Sequence, residues 1–235
     1  MSILVVTAVA AEASAVLPGA EPVQLGPYRC LRRGGLTAVA GGVGPACAAA
    51  CAGTLLAPGG WDLVVSAGIG GGFPGRAAVG DLVLADRVVH ADLGADSPAG
   101  FLPIDVLGFG AAVTELDAAL VGAAAASTGA VVGPVLTVST VTGTAVRAAA
   151  LAAAHRPAAE GMEGAGVLAA ARVHQVPFLE ARGISNPVGP RDRAGWDLPA
   201  GLAALARVAA LARGAAPARV RSAAAAVRRP APEVR

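Results

Sequence analysis

The sequence predicts an α/β fold: a single three-layer domain with a mixed central β-sheet flanked by helices. Short segments rich in Val, Leu and Ile recur along the chain, and several are apolar on both faces, as covered strands are. Alanine-rich segments of helical length separate them. At 235 residues the chain is long enough for one sizeable core, and no linker divides its first 213 residues.

Each element follows from its local composition. The predicted strands, short and rich in β-branched residues, cover residues 3–10, 36–42, 61–68, 81–91, 131–140 and 176–185. The predicted helices cover residues 45–57, 115–127, 143–155, 163–174 and 198–213. Residues 94–110 are expected to form a long irregular loop, and loops of that length are often functional. Residues 214–235, dominated by Pro, Ala and Arg, are expected to form a loosely ordered tail.

Composition excludes several classes of protein. All 18 basic residues are arginine, which excludes a P-loop lysine, a Schiff-base lysine and a PLP enzyme. Five of those arginines lie in residues 219–235, so the rest of the chain is weakly acidic and a nucleic-acid partner is not expected. The apolar first segment lacks a basic start and contains Glu12, which favours a buried strand over a signal peptide. We therefore expect a cytoplasmic protein without a membrane partner.

Neither a metal site nor another cofactor is expected. Three cysteines are an odd number for a disulfide framework, and Cys47 and Cys51 have no histidine nearby, so both are interpreted as reduced packing residues. The three histidines are scattered without the spacing of metal ligands.

Candidate functional residues follow the predicted strands, because ligands of open α/β sheets bind beyond the carboxyl ends of strands. Glu12 follows the first strand, where it could act as a general base or simply complement a helix dipole. The glycine-rich segment SAGIGGGF (66–73) could cradle an anion or hydroxyl, or form an ordinary turn.

Two further segments are richer in polar groups. Met162 and Glu163 lie between Gly161 and Gly164 at the start of a small-residue helix, where a buried carboxylate would need hydrogen-bond donors. The last strand runs into RGISNPVGPRDRAGW (182–196), whose density of polar groups favours a binding site over a solvated loop. Its candidate residues are Arg182, Ser185, Asn186, Arg191, Asp192, Arg193 and Trp196.

Taken together, these segments resemble the nucleoside phosphorylase/nucleosidase family. The resemblance rests on GVG before a helix, SAGIGGG followed by VGDLVLAD, then GMEGAG and ARGISN, in the family's order over most of residues 1–200. It implies a single α/β domain with a mixed sheet and a homodimer or higher homo-oligomer that binds a nucleoside. The segments TAVAAEASAVL, ADLGADSPAGFLPIDVLGFG and SNPVGPRDRAGW are most similar to the members that hydrolyse futalosine, releasing hypoxanthine, in a route to menaquinone.

The resemblance also implies roles for individual residues. Met162 would pack against the ribose, Glu163 would accept hydrogen bonds from its hydroxyls, and Glu12 would activate the attacking water. The remaining positions implied in substrate binding are Ile69, Gly70, Gly71, Thr144, Arg182 and Asp192. A substrate carboxylate could meet Arg76, Arg191 or Arg193.

Two departures from the family's pattern refine the expected chemistry. Asn186 stands where methylthioadenosine-type nucleosidases carry an aspartate, and an amide can donate to a 6-oxopurine but cannot act as a practical acid. Asp192 is the alternative acid. Ile69 stands where phosphorylases carry a phosphate-binding hydroxyl, which favours water as the nucleophile. A nucleosidase or phosphorylase for another purine nucleoside, and a non-catalytic nucleoside-binding module, are the alternative interpretations.

Overall fold

Residues 1–214 are the part of the chain that the computed structural model describes; the predicted tail beyond Gly214 lies outside it. The predicted α/β class with a mixed, helix-flanked sheet is confirmed. The strands are Ile3–Thr7 (β1), Glu21–Leu25 (β2), Tyr28–Arg33 (β3), Leu36–Ala40 (β4), Leu63–Gly72 (β5), Leu82–His90 (β6), Gly94–Ala95 (β7), Leu102–Pro103 (β8), Val113–Glu115 (β9), Val131–Thr137 (β10), Ala159–Gly161 (β11) and Phe178–Pro187 (β12). The helices are Ala10–Val16 (α1), Pro45–Leu56 (α2), Ala118–Thr128 (α3), Ala145–His155 (α4), Gly164–Val173 (α5), Leu198–Leu205 (α6) and Leu211–Gly214 (α7).

The main sheet contains ten strands in the order β11-β10-β6-β12-β5-β1-β4-β3-β2, with β9 paired to β6. It is mixed: β1 runs parallel to β4 and β5, whereas β12 runs parallel to β5 but antiparallel to β6. The short strand β11 pairs with β10 on one side and with the end of β5 on the other. Strands β5, β12, β6, β10 and β11 therefore form a closed circuit.

Helices cover both faces of this sheet. Helices α1, α3 and α6 bury one apolar stripe against the core that includes Ile3, Val65 and Leu179. Helices α2 and α5 cover the opposite face, where the core includes Leu4, Val64 and Phe178. Successive residues of β1, β5 and β12 thus point to opposite buried faces, which explains their continuous apolar sequences. No helix among residues 1–214 is long and apolar enough to cross a membrane.

Several boundaries differ from the predicted ones. The first strand ends at Thr7 rather than at residue 10, and Ala10–Val16 forms helix α1, because a mixture of Ala and Val does not separate strand from helix. The hairpin β2–β3 was not predicted because its strands lie at the sheet edge, are largely exposed and contain Pro22 and several arginines. Residues 94–110 are not wholly irregular, since β7 and β8 pair within them. The predicted helix 198–213 is divided into α6, a 3-10 turn and α7.

Candidate active site

A cavity of about 280 Å³ opens where β1, β5, β11 and β12 end. These ends meet because β5 pairs with β1, β11 and β12. Ten of the candidate residues from the sequence line this cavity: Glu12, Ile69, Gly70, Gly71, Met162, Glu163, Ser185, Asn186, Arg191 and Trp196. The structure thus brings together in one cleft four segments that are far apart in the chain.

Glu12 is a buried carboxylate at the first turn of α1. Its Oε2 accepts hydrogen bonds from the backbone N–H groups of Ala8 (2.9 Å) and Val9 (3.1 Å), and its Oε1 accepts one from Ile69 N–H (2.9 Å). Burial raises the pKa of Glu12 above its ordinary value, although these bonds and the charge of Arg182 oppose that shift. Glu12 therefore accepts hydrogen bonds at the start of its own helix, and it also lines the cavity; its role as a general base stays a prediction.

Glu163 also lines the cavity and is held there by an arginine. Its Oε2 accepts a hydrogen bond from Arg182 Nη1 at 2.8 Å, and its Oε1 accepts one from Gly44 N–H at 3.2 Å. Arg182 is 1% exposed and does not line the cavity, so the structure places it behind Glu163 and not in direct reach of a ligand. The buried guanidinium therefore fixes the position of the Glu163 carboxylate by a charge-assisted hydrogen bond.

Glu180, which sequence reasoning missed, shares this arginine. Its Oε1 lies 3.0 Å from both Nε and Nη2 of Arg182, and Arg182 Nη2 also donates to Ser66 Oγ at 3.2 Å. Burial raises the pKa of Glu180 to about 7, even though the adjacent guanidinium favours its ionised form. Burial alone would lower the pKa of Arg182, but the neighbouring carboxylates reverse that effect and raise it. Arg182 therefore stays charged between two buried acids.

Two glycines of the GMEGAG segment provide the space for this ion cluster. A Cβ on Gly161 would stand 2.6 Å from Cζ of Arg182, and a Cβ on Gly164 would overlap both carboxyl oxygens of Glu180. Neither glycine has a positive φ, so they are required by packing and not by backbone conformation. The space beside these two glycines is occupied by Arg182 and Glu180.

Asn186 lies at the end of β12 with its amide partly satisfied. Its Oδ1 accepts a hydrogen bond from Ser185 Oγ at 2.8 Å, and its Nδ2 donates to the carbonyl of Pro187 at 3.0 Å. An amide has two N–H donors and two acceptor lone pairs, so one of each remains for a ligand. Gly71 lies against this amide, since a Cβ there would stand 3.4 Å from Nδ2 and 2.7 Å from a methyl carbon of Val188.

The remaining lining gives the cavity apolar walls and a third buried acid. Met162 is half-buried in the wall, while Val9 and Val43 are exposed at the edge. Glu160, which was not predicted, lines the cavity and is satisfied locally, because Thr142 donates to it through both its N–H and its hydroxyl.

The arginine candidates for a substrate carboxylate fall in different places. Arg191 lines the cavity and its guanidinium lies 5.3 Å from the ring centre of Trp196, which also lines it. Arg193 stacks on the same ring at 5.9 Å but lies outside the lining. Arg76 belongs to a separate cavity of about 470 Å³ beside α4.

Two predicted binding residues do not reach the cavity in this structure. Thr144 is the N-cap of α4, where its hydroxyl accepts a hydrogen bond from Arg147 N–H at 3.2 Å. Asp192 is exposed and accepts a hydrogen bond from Ala194 N–H at 3.0 Å, which caps the 3-10 turn Arg193–Gly195. Both side chains serve as local caps, a use of Thr and Asp that the sequence does not distinguish from ligand binding.

Comparison with known proteins places this geometry in context. The family model described as the phosphorylase superfamily matches residues 7–223. The chain is 52% identical to the futalosine hydrolase of Streptomyces coelicolor over 216 residues, covering 87% of this chain and 92% of that protein. It is 42% identical to the futalosine hydrolase of Acidothermus cellulolyticus over 211 residues, covering 86% of each.

A solved structure supports the assignment of the fold. The crystal structure of a 5′-methylthioadenosine/S-adenosylhomocysteine nucleosidase from Colwellia psychrerythraea, in complex with adenine, superimposes with a TM-score of 0.73. The match covers 90% of this chain and 96% of that one at 24% sequence identity.

Proposed function

This chain belongs to the phosphorylase superfamily, and we propose that it hydrolyses the N-glycosidic bond of futalosine, releasing hypoxanthine and dehypoxanthine futalosine. The observation that carries this proposal is the convergence of Glu12, Glu163 and Asn186 on one cavity. The two relatives of 52% and 42% identity, both futalosine hydrolases, support the choice of substrate.

Glu163 is proposed to bind the ribose and stabilise the transition state. Cleavage of an N-glycosidic bond builds positive charge on the sugar ring, and a fixed carboxylate beside it lowers the energy of that charge. Arg182 and the N–H groups of Met162 and Gly44 orient Glu163, and the acceptor site that they leave free on Oε1 can accept a hydrogen bond from a sugar hydroxyl. Met162 offers an apolar surface against the ring.

Glu12 is proposed to activate water. Three backbone N–H groups hold its carboxylate, and burial raises its pKa, so it is a stronger base than an exposed glutamate. The water oxygen forms a bond to the anomeric carbon, its proton passes to Glu12, and the electron pair of the C–N bond leaves with the purine. Ile69 offers a backbone N–H to Glu12 and no side-chain hydroxyl for phosphate, which supports water over phosphate as the nucleophile.

Asn186 is proposed to stabilise the leaving purine. Its free amide N–H can donate to the electron-rich hypoxanthine, while its oxygen can accept from a ring N–H. The departing base then takes a proton from solvent. An amide cannot lose or gain a proton at neutral pH, so this arrangement favours a 6-oxopurine over adenine.

Arg191 is proposed to bind the carboxylate at the far end of futalosine. It lines the cavity beside Trp196, whereas Arg193 and Arg76 do not. A guanidinium stacked on an indole ring keeps its N–H edge available for a planar carboxylate.

The wider setting is also proposed. Futalosine hydrolysis would serve menaquinone biosynthesis by the futalosine route, in the cytoplasm, and the three free cysteines suit a reducing compartment. A homodimer or higher homo-oligomer is supported by large apolar side chains exposed in the segment that contains β7 and β8, above all Phe109 (81% exposed) and Val106 (66% exposed).

Chromatography of the reaction products tests the proposal. The purified chain is incubated with futalosine, inosine or methylthioadenosine, each with and without phosphate, and the free base and sugar products are separated. We expect hypoxanthine from futalosine at the same rate in both buffers. A sugar 1-phosphate formed only with phosphate would instead identify a phosphorylase, and binding of futalosine without turnover would identify a nucleoside-binding module.

A further inference from the structure

Three buried carboxylates and one arginine form a single cluster, in which Glu12 and Glu163 line the cavity and Arg182 and Glu180 lie behind them. Glu180 is fully buried, and Arg182, Glu12 and Glu163 are at most 5% exposed. Glu12 Oε1 and Arg182 Nη1 face each other across Gly68, since a Cβ on that glycine would lie 3.0 Å and 2.9 Å from them. One guanidinium cannot balance three ionised acids. The positive charge that Arg182 exerts on the cavity therefore depends on the protonation state of the acid that lies farthest from the cavity.

Glu180 is that acid, because it contacts neither the cavity nor water. Its Oε1 binds two nitrogens of Arg182, and among the described residues its Oε2 has no hydrogen-bond partner. The charged and polar groups that face it are Arg182 on its own strand and, through that arginine, Ser66 of β5, Glu163 and Glu12. A buried carboxylate oxygen without a hydrogen-bond partner is unfavourable when the carboxylate is ionised, so Glu180 lowers the free energy of unfolding of the protein.

We propose that Glu180 is a positioning residue for the reaction at the cavity: by sharing Arg182 with Glu163, it fixes the guanidinium and partly neutralises the charge that Arg182 exerts on Glu163. This inference rests on the proposed hydrolysis. If Glu180 does not neutralise part of the positive charge of Arg182, that charge offsets more of the negative charge of Glu163. The negative field that stabilises the sugar cation then becomes weaker. Glu180 thus acts through Arg182 and contacts no substrate.

The inference predicts a pH dependence that a purely structural role would not produce. Burial holds the pKa of Glu180 at about 7, so the residue is protonated in mild acid and ionised in mild base. Glu180→Gln keeps the shape and the acceptor for Arg182 but fixes the neutral state. The variant should therefore match the wild type in acid and fall behind it in base.

The experiment compares kcat for futalosine in the wild type and in Glu180→Gln from about pH 5.5 to about pH 8.5, a range that spans the titration. We expect the wild-type to variant ratio of kcat to rise from near one to about 10-fold, a loss typical of removing a partner that orients a functional side chain. A ratio that does not change with pH would overturn the inference. The control Leu120→Ala removes a buried side chain of α3 far from the cluster and should give a ratio that is constant with pH.

A second measurement tests the geometry without relying on catalysis. Gly164→Ala should destabilise the wild type, because its Cβ would overlap the Glu180 carboxylate. In the background of Glu180→Ala that obstacle is absent, and the same change should be neutral or stabilising, since Ala favours a helix more than Gly does. Additive changes in the unfolding midpoint would overturn the proposed arrangement. Wild-type protein that releases no hypoxanthine would overturn the proposed hydrolysis instead, whatever this cycle shows.

Discussion

Replacing Glu12 with glutamine tests the proposed general base most directly. A positioned general base typically contributes 10²–10⁴-fold to a rate, so we expect kcat/KM for futalosine to fall about 10³-fold, or about 4 kcal/mol in activation free energy. The structure adds a second expected effect. Both carboxylate oxygens accept backbone N–H groups, so the amide nitrogen of a glutamine must face at least one donor. That mismatch should lower the free energy of unfolding by about 1–3 kcal/mol.

The assay must separate these two effects. Steady-state kinetics with futalosine is measured on Glu12→Gln and on Thr128→Val, which loses a buried hydroxyl of α3 bonded to Ala124 O (2.7 Å) and does not line the cavity. Both variants should be destabilised, but only Glu12→Gln should lose activity.

The pH profile gives a further check on the same residue. Since the pKa of Glu12 is raised, kcat/KM of the wild type should fall in acid at a pH above the ordinary glutamate value of 4.5, and the variant should lack that limb. Near wild-type turnover by folded Glu12→Gln would refute the assigned role.

Three other variants address the leaving group, the buried arginine and the substrate carboxylate. Asn186→Asp should raise kcat/KM for adenine-type nucleosides relative to hypoxanthine-type ones, and an unchanged ratio would contradict the role of the amide. Arg182→Met leaves Glu163 and Glu180 unpaired, so urea unfolding at about pH 8 should show a loss of about 3–5 kcal/mol. The loss should be smaller at about pH 5, where Glu180 is protonated, and equal losses would count against that titration. Arg191→Gln should raise KM for futalosine about 10-fold, as loss of a charge-assisted bond does, but leave KM for inosine unchanged; equal effects on both substrates would exclude a carboxylate contact.

The sequence was sufficient for the class of the fold and for the residues at strand ends. Glu12, Glu163 and Asn186 were predicted because each interrupts a small or apolar segment at a point where an α/β sheet places ligands. The hairpin β2–β3 could not be predicted because its exposed edge strands lack an apolar pattern, and the short strand β11 could not because its pairing depends on β5 and β10, which are distant in the chain.

Charge pairing in the core was the missed signal. Glu180 and Arg182 are two residues apart in the buried part of β12, where their neighbours are apolar or small, so both side chains lie on one face and must pair there. Thr144 and Asp192 show a different ambiguity, because residues that suit ligand binding also suit helix caps.

The closed circuit of strands also bears on how the cleft can move. Strand β11 carries Glu160 into the wall and is bonded on both sides, with Phe73 N–H donating to Ala158 O and Val138 N–H donating to Gly161 O, each at 3.0 Å. Releasing that wall would break both edges at once, so these amides should exchange with deuterium only when the whole domain unfolds. Substrate entry must then rely on the exposed rim near Val9 and Val43, while the floor stays rigid through each turnover.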